Sequence, residues 1–212
     1  MSLTLVIGNK TYSSWSLRAA LALELSGAPY EERRISLYRA DSRALLQAQS
    51  PTGKVPVLHT EEGPVWDSLA IAEYLAERFP QAGLWPRERY ARALARSLCA
   101  EMHSGFASLR SQLPMDLKRR PAPVELSPET LADIARIGAL WTDCRQRFGA
   151  DGDFLFGRPS LADAFYAPVA ARLRSYAVEV PVVAAAYVET LHRWPAFQRW
   201  CRAALEETET HP

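Results

Sequence analysis

A change of sequence pattern near residue 80 constrains the fold of this chain more than any other feature. Before that point, short apolar runs alternate with helix-forming stretches; beyond it, strand patterns stop and long helical patterns take over. Alternating strands and helices build an α/β layer, whereas successive amphipathic helices pack on one another. We therefore predict an α/β domain over residues 1–80 and an all-helical domain over residues 87–212, joined by the proline- and glycine-containing segment Pro80 to Pro86.

The first domain has the predicted order β-α-β-α-β-β-α. Strands are predicted over residues 3–7, 30–37, 55–60 and 64–66, and helices over residues 16–26, 42–49 and 68–79. Because Glu61, Glu62 and Gly63 form a hairpin-sized connection, the last two strands should be antiparallel.

The second domain should consist of five helices. They are predicted over residues 87–112, 127–148, from 160 onward, 181–193 and 196–207. Ser127 before Pro128 is a typical helix start, because serine caps the first turn and proline suits its first position. The segment from Ser160 to Asp163 is a variant capping box, which we interpret as a folding element without a ligand.

Composition excludes several classes of protein. With 25 Lys and Arg against 24 Asp and Glu, a net charge of +1 and 48% hydrophobic residues, the chain of 212 residues is neither disordered nor a typical nucleic-acid binder. It has no signal-peptide pattern and no apolar run long enough to span a bilayer, so we expect no membrane association and a cytoplasmic location. Its three cysteines are widely spaced and predict buried apolar residues, with no disulfide framework and no metal site.

A cluster of hydroxyls lies between the first strand and the first helix. It contains Ser13, Ser14 and Ser16. These side chains can cap the helix, which is the simpler interpretation. Alternatively, one hydroxyl points outward and donates to an anion held at the positive end of the helix.

Two further segments have the chemistry of a peptide-binding site. If the Val55–Pro56 bond is cis, the backbone of Val55 can pair with an extended peptide. Asp67 and Ser68 precede the third helix, where they can cap it. The alternative is that Ser68 and the helix N–H groups hold a ligand carboxylate while Asp67 faces a ligand ammonium.

Taken together, these motifs resemble the cytosolic glutathione transferases over essentially the whole chain. The resemblance rests on four segments in the right order, Ser13 to Arg18, Gly53 to Leu58, Asp67–Ser68 and Ser160 to Asp163. It implies a thioredoxin-like α/β domain that binds glutathione, an all-α second domain, a homodimer and no metal. The serine segment looks most like the zeta class, which includes maleylacetoacetate isomerases, although Trp15 stands where that class typically has cysteine.

The resemblance also implies roles for the serines. Ser13 is the implied catalytic residue, and Ser14 and Ser16 are alternatives because a single sequence leaves the register uncertain by one position. Tyr12 is a weaker rival, since tyrosine-type transferases place their phenol earlier.

For glutathione itself, the resemblance implies four contact points. Val55, followed by a cis Pro56, should bond the cysteinyl backbone, and Lys54 should lie near the glycyl carboxylate. Asp67 and Ser68 should hold the γ-glutamyl end.

The electrophile should lie against the helical domain, in a pocket shared between the domains. Met102, His103 and Phe106 are candidates to line it, although core packing is the simpler role for Met102 and Phe106 and surface exposure is open for His103. Arg172 or Arg174 would suit an acidic substrate, but we expect both to face solvent.

Three functional hypotheses follow. The leading one is conjugation of glutathione to small hydrophobic electrophiles. The second is glutathione-dependent cis–trans isomerisation of an unsaturated diacid. The third is a non-catalytic binding module with the same fold, which is disfavoured because Ser13, Val55–Pro56 and Asp67–Ser68 are all present.

Overall fold

A four-stranded mixed sheet forms the centre of the first domain. The computed structural model describes residues 3–209. The strands are β1 (Leu3–Ile7), β2 (Tyr30–Arg34), β3 (Val57–His59) and β4 (Pro64–Val65), in the spatial order β2-β1-β3-β4. β1 runs parallel to β2 and antiparallel to β3, and the predicted β3–β4 hairpin is antiparallel. Leu5, Val6 and Ile7 are fully buried, as expected of a central strand.

Three helices complete the first domain in the predicted order. They are α1 (Ser14–Ser26), α2 (Ser42–Gln49) and α3 (Ser68–Arg78). α1 has no polar face, because it packs against α3 on one side and against the second domain on the other. The predicted fold class, a thioredoxin-like α/β domain followed by an all-α domain, is confirmed.

Six helices form the second domain within the described residues. They are α4 (Arg89–Ser104), α5 (Ala107–Gln112), α6 (Pro128–Phe148), α7 (Leu161–Ser175), α8 (Val182–Arg193) and α9 (Pro195–Glu206). α7 is buried over almost its whole length and packs against α1, α4 and α8. It is therefore the helix around which the second domain is arranged.

The prediction of one helix over residues 87–112 is wrong. α4 ends at Ser104, and a separate α5 begins after Phe106, whose φ of 56° lies in the left-handed region. At Gly105 a side chain would meet the chain itself, because a Cβ there would lie 2.7 Å from the carbonyl oxygen of Glu101. The break redirects the chain and places α5 beside the first domain.

The Ser160 capping box is a folding element, as predicted. Oδ2 of Asp163 accepts hydrogen bonds from the backbone N–H of Ser160 at 2.8 Å and from its hydroxyl at 2.9 Å. Oδ1 accepts from Leu155 N–H at 3.1 Å and from the Tyr187 hydroxyl at 2.7 Å. Burial raises the pKa of Asp163, and these donors oppose that shift.

The cysteines also behave as the sequence predicts. Cys99 and Cys144 are buried, Cys201 is partly buried, and all three are free thiols. Burial raises the pKa of the Cys144 thiol to about 12 and that of Cys201 to about 11, so neither is a thiolate at neutral pH. In the described part of the chain, no helix combines the length and apolar character needed to cross a bilayer.

Candidate active site

A cavity of about 580 Å³ opens where the first domain meets the second. The first domain contributes the loop before α1, the start of that helix and the segment before β3, and the second contributes α5, the chain after it and the end of α7. The lining residues are Tyr12, Ser13, Ser14, Trp15, Leu37, Tyr38, Leu46, Gly53, Lys54, Val55, Arg110, Pro114, Met115, Asp116, Arg172 and Tyr176.

Ser13 is both a lining residue and the N-cap of α1. Its oxygen accepts a hydrogen bond from the backbone N–H of Ser16 at 3.3 Å, and its hydroxyl donates to Oγ of Ser16 at 2.8 Å. Ser16 is fully buried and also accepts from the N–H of Gly8 at 3.1 Å. Ser16 therefore holds Ser13 from inside the protein and does not line the cavity.

Ser14 begins α1 and lines the same cavity. Its Oγ accepts a hydrogen bond from Nη2 of Arg172 at 3.2 Å. No acceptor among the described residues takes the hydrogen of this hydroxyl, so it can turn toward a bound group. Ser13 and Ser14 are 7% and 6% exposed, which places both hydroxyls at the floor of the cavity.

The segment before β3 forms another wall. The Val55–Pro56 peptide bond is cis, as the resemblance implies. No hydrogen bond between described residues engages the backbone N–H or C=O of Val55, which lines the cavity, and Lys54 lines it as an exposed cation. Pro56 is buried behind them.

Asp67 and Ser68 lie at the start of α3, outside the cavity lining. Oδ1 of Asp67 caps the helix by accepting from Leu69 N–H at 2.9 Å, and Oδ2 lies 3.1 Å from Nε2 of His103. Ser68 is fully buried, and its hydroxyl has no hydrogen-bond partner among the described residues. The His103 ring packs edge-to-face on Trp15, with centroids 5.1 Å apart. Trp15 therefore stands between the cavity and the Asp67–Ser68 pair.

The three candidates on the first long helix do not line the cavity. Met102 is fully buried in the core, and Phe106 is 8% exposed at the break before α5. His103 contacts Trp15 and Asp67 instead. Arg110 and Met115, which follow the helix break, line the cavity instead. The sequence around Arg110 and Met115 does not identify either residue as part of the cavity, because their positions depend on the break between α4 and α5.

Arg172 is buried, which contradicts the expectation of solvent exposure. It is 3% exposed, and its guanidinium donates to the carbonyl oxygens of Leu113 at 2.9 Å and Pro168 at 3.1 Å, besides Ser14. Burial lowers the pKa of Arg172 to about 10, so it stays charged at neutral pH. Arg174 faces solvent as expected and pairs with Glu189.

A second buried guanidinium lies behind Trp15. Arg18 is fully buried 4.4 Å from the Trp15 ring and 5.3 Å from the Phe165 ring, and none of its nitrogens has a hydrogen-bond partner among the described residues. Burial, with Arg172 and Arg110 nearby, lowers its pKa to about 9. None of the ion pairs between described residues involves Arg18, Arg110 or Arg172. This side of the cavity is therefore electropositive.

The cavity lies at the N-terminus of α1, beside a cis-proline turn, and the helical domain forms its other side. This arrangement places the chain in the class of two-domain thioredoxin-like enzymes. Comparison with known families makes this specific. Residues 12–78 match the family model "Glutathione S-transferase, N-terminal domain", and residues 89–203 match "Glutathione S-transferase, C-terminal domain". The chain belongs to the glutathione S-transferase family.

Individual relatives agree with this assignment. The chain is 30% identical over 192 residues to the maleylacetoacetate isomerase of Pseudomonas aeruginosa, covering 88% of this chain and 84% of that protein. It is 27% identical over 203 residues to glutathione S-transferase Z1 of Arabidopsis thaliana, covering 89% of each. Among solved structures, a Burkholderia glutathione transferase homologue with bound glutathione has a TM-score of 0.71 at 25% identity, covering 99% of this chain and 100% of that chain.

Proposed function

We propose that this enzyme activates the thiol of glutathione at the N-terminus of α1 and adds it to an electrophile in the interdomain cavity. Ser13 is the principal donor to the sulfur, for which its hydroxyl turns away from Oγ of Ser16, and Ser14 is the second hydroxyl. The observation that carries the proposal is that Ser13, Ser14, Lys54 and Val55 border one cavity at a helix N-terminus. The family membership supports glutathione as the ligand.

The energetic requirement for thiol activation is modest. A thiol with a pKa of about 8.5 must lose roughly two units to be mainly thiolate at neutral pH, which is about 2.7 kcal/mol. A helix N-terminus contributes about 0.3–1 kcal/mol and a hydrogen bond to a charged acceptor about 1.5–3 kcal/mol. The two together reach the requirement, and the electropositive side formed by Arg110 and Arg172 acts in the same direction.

Each part of glutathione has a complementary group in the proposed site. The unengaged backbone of Val55 suits the cysteinyl residue, and Lys54 suits the glycyl carboxylate. Asp67, which is half exposed, suits the γ-glutamyl ammonium. The hydroxyl of Ser68 has no partner among the described residues and suits the γ-glutamyl carboxylate, but it is fully buried, so the start of α3 has to open for this contact. Pro56 supports this arrangement from behind, and Ser16 supports Ser13.

The acceptor in the cavity should carry a carboxylate. Arg172 is buried, charged and directed at Ser14, and Arg110 lines the same wall. A carboxylate there gains charge-assisted hydrogen bonds in a poorly hydrated site. Met115 and Tyr176 provide an apolar surface for the rest of a small electrophile.

A second candidate function is cis–trans isomerisation of an unsaturated diacid. The buried Arg172 favours it, as does the name of the Pseudomonas relative. The thiolate would add to one alkene carbon and the π electrons would move onto the conjugated carbonyl. Rotation about the new single bond and expulsion of the thiolate would then restore the alkene. Glutathione is regenerated in this reaction, whereas conjugation consumes one glutathione per product.

Replacement of Ser13 tests the proposal. In Ser13→Ala, glutathione affinity should stay within about twofold while turnover falls by about ten- to a hundredfold, which corresponds to one hydrogen bond to a charged acceptor. Ser104→Ala, on an exposed position at the end of α4, is the matched control. An unchanged rate in Ser13→Ala rejects Ser13 as the activator, and a wild-type protein that does not bind immobilised glutathione contradicts the proposed function. Quantifying glutathione during turnover separates conjugation from isomerisation.

We also propose that the domains divide near residues 80–87, and that the chain acts as a homodimer in the cytoplasm, as is typical of the family. Light scattering after size-exclusion chromatography tests the dimer, whose expected mass is twice 23.7 kDa. A single species at the monomer mass contradicts it.

A further inference from the structure

The segment that follows α9 docks on the loop that leads to the catalytic serines. Oε1 of Glu207 accepts a hydrogen bond from the backbone N–H of Lys10 at 2.7 Å. Oε2 accepts from the backbone N–H of Thr11 at 3.0 Å and lies 2.9 Å from the Thr11 hydroxyl. The Glu207 residue is only 8% exposed, and Thr11 is fully buried. One buried carboxylate therefore accepts from the backbone N–H groups of two consecutive loop residues, and the Thr11 hydroxyl, with one hydrogen, bonds either Oε2 or the carbonyl oxygen of Ala204 at 3.1 Å.

Other residues of the second domain also form hydrogen bonds with Lys10 and Thr11. The indole N–H of Trp200 donates to the carbonyl oxygen of Lys10 at 3.0 Å. The carbonyl oxygen of Thr11 accepts from the backbone N–H of Leu117 at 3.2 Å. The backbone of Lys10 and Thr11 is thus bonded on both sides to residues outside its own domain, which fixes its position relative to the cavity wall.

Two basic side chains, Arg34 and Lys118, hold the tail itself in place. Nη1 of Arg34, at the end of β2, lies 3.4 Å from Oε1 of Glu207 and 3.0 Å from Oε1 of Glu209. Lys118 donates through Nζ to the carbonyl oxygen of Glu207. The ammonium of Lys10 turns away, pairing with Glu32 at 2.6 Å. Of these three cations, Arg34 alone approaches the carboxylate of Glu207, whose oxygens are directed at the loop backbone.

The loop passes directly from these anchored residues to the site. Only Tyr12 separates Thr11 from Ser13, and the N–H groups of both Tyr12 and Ser13 donate to the carbonyl oxygen of Asn9 at 3.3 and 2.8 Å. A shift of Lys10 and Thr11 would consequently be transmitted to Ser13 and Ser14. A displacement of about 1 Å at a reacting group can lower a rate by about a hundredfold.

We propose that Glu207 is a positioning residue for the thiol-activating serines, and that the C-terminal segment clamps the β1–α1 loop against the cavity. This inference rests on the proposed function, because it assigns Glu207 a role through Ser13 and Ser14. Without the carboxylate, the N–H groups of Lys10 and Thr11 lose their acceptor. Because a buried N–H without an acceptor costs free energy, the loop should shift so that these groups can bond to water.

The test compares Glu207→Ala and Glu207→Gln with Glu206→Ala as the matched control. Glu206 is an exposed neighbour at the end of α9 for which no described residue provides a hydrogen bond or ion pair. The ultraviolet absorbance of enzyme-bound glutathione thiolate is measured against pH, together with kcat, the glutathione KM and the midpoint of thermal unfolding.

For Glu207→Ala we expect the pKa of the bound thiol to rise by about one unit and kcat to fall by about ten- to a hundredfold. The glutathione KM should stay within about twofold, because Lys54, Val55, Asp67 and Ser68 are untouched. Glu207→Gln keeps one acceptor oxygen for one of the two N–H groups, so its effect should be intermediate. Glu206→Ala should match the wild type in every readout.

An unchanged thiol pKa and kcat in Glu207→Ala would overturn the inference, as would parallel losses of glutathione affinity and thermal stability that account for the lost rate. If Glu207→Ala does not fold, Glu207→Gln carries the same comparison, and wild-type values in that variant would overturn the inference. A wild-type enzyme that shows no bound thiolate would refute the proposed function itself, which distinguishes the two failures.

Discussion

Nε2 of His103 lies 3.1 Å from Oδ2 of Asp67, so the last turn of α4 is tied to the first turn of α3. The same imidazole packs edge-to-face on Trp15, and the carbonyl oxygen of His103 accepts a hydrogen bond from Nη1 of Arg110 at 3.2 Å. His103 therefore links the proposed γ-glutamyl contact in the first domain to two walls of the cavity. Both domains orient Asp67, the first through the Leu69 N–H on Oδ1 and the second through His103 on Oδ2.

Removing this imidazole should weaken glutathione binding more than it slows chemistry. Asp67 is half exposed, so the expected loss is that of an ordinary hydrogen bond, and His103→Leu should raise the glutathione KM by about two- to tenfold while kcat stays within about twofold. His103→Gln retains a donor and should recover most of the affinity. Steady-state kinetics and calorimetric titration measure both. A glutathione KM that is equal in His103→Leu and the wild type would show that Asp67 needs no orientation.

Local sequence patterns were sufficient to predict nearly all the elements of the fold. Ser127–Pro128 and Ser160–Asp163 mark the starts of α6 and α7 because their capping groups are adjacent in sequence. The division of α4 from α5 was missed because Gly105 alone does not mark a helix break and part of what holds α5 is distant in sequence. The N-terminus of α5 is capped by Oδ2 of Asp133, which accepts from the N–H of Leu109 at 3.0 Å, and Asp133 belongs to α6. No window around residue 105 contains that partner.

If the acceptor is anionic, Arg172 should determine its affinity. Arg172→Met should raise the KM for a carboxylate-bearing electrophile by about tenfold or more, because a charge-assisted hydrogen bond is worth about 1.5–3 kcal/mol. The KM for an uncharged electrophile should change by less than about threefold. Arg174→Met, two residues away on the surface, is the control and should leave both values unchanged. Equal losses for charged and uncharged acceptors would assign Arg172 a purely structural role.

The site was predictable where it depends on segments that are contiguous in sequence. Ser13 and Ser14, Lys54 and Val55 lie in such segments, and the structure gathers them around one cavity. The burial of Arg172 was not predictable, because two of the three oxygens that receive its guanidinium come from Ser14 and Leu113, which only the tertiary fold brings near it. The third comes from Pro168, one turn earlier on α7. An arginine on a helix is exposed by default, and the sequence contains no sign of those acceptors.

The buried charge of Arg18 should lower the free energy of unfolding. Its pKa falls from 12.5 to about 9 mainly because of burial, and each unit corresponds to about 1.4 kcal/mol, so burial of the charge costs about 5 kcal/mol at neutral pH. The contacts with Trp15 and Phe165 return about 1–2 kcal/mol each. Arg18→Met, which fills a similar volume, should therefore raise the free energy of unfolding by about 1–3 kcal/mol in chemical denaturation. Arg43→Met on the exposed face of α2 is the control. A lower stability in Arg18→Met would mean that the ring contacts exceed the burial cost.

His192 should make the fold less stable in mild acid. Burial, and then Arg174, lower its pKa from 6.5 to about 4, and its ring is bonded to the carbonyl oxygen of Ala170 at 3.3 Å. Between pH 6.5 and about 4 the unfolded chain takes up a proton that the folded chain does not, so the free energy of unfolding falls as the pH decreases through that window. The contribution reaches at most about 3 kcal/mol. Urea unfolding of the wild type and of His192→Gln across this pH range isolates the contribution of His192. The titration of the carboxylates changes the free energy of unfolding equally in both proteins and cancels in the difference. Parallel stability curves for the two proteins would contradict a neutral, partly buried His192.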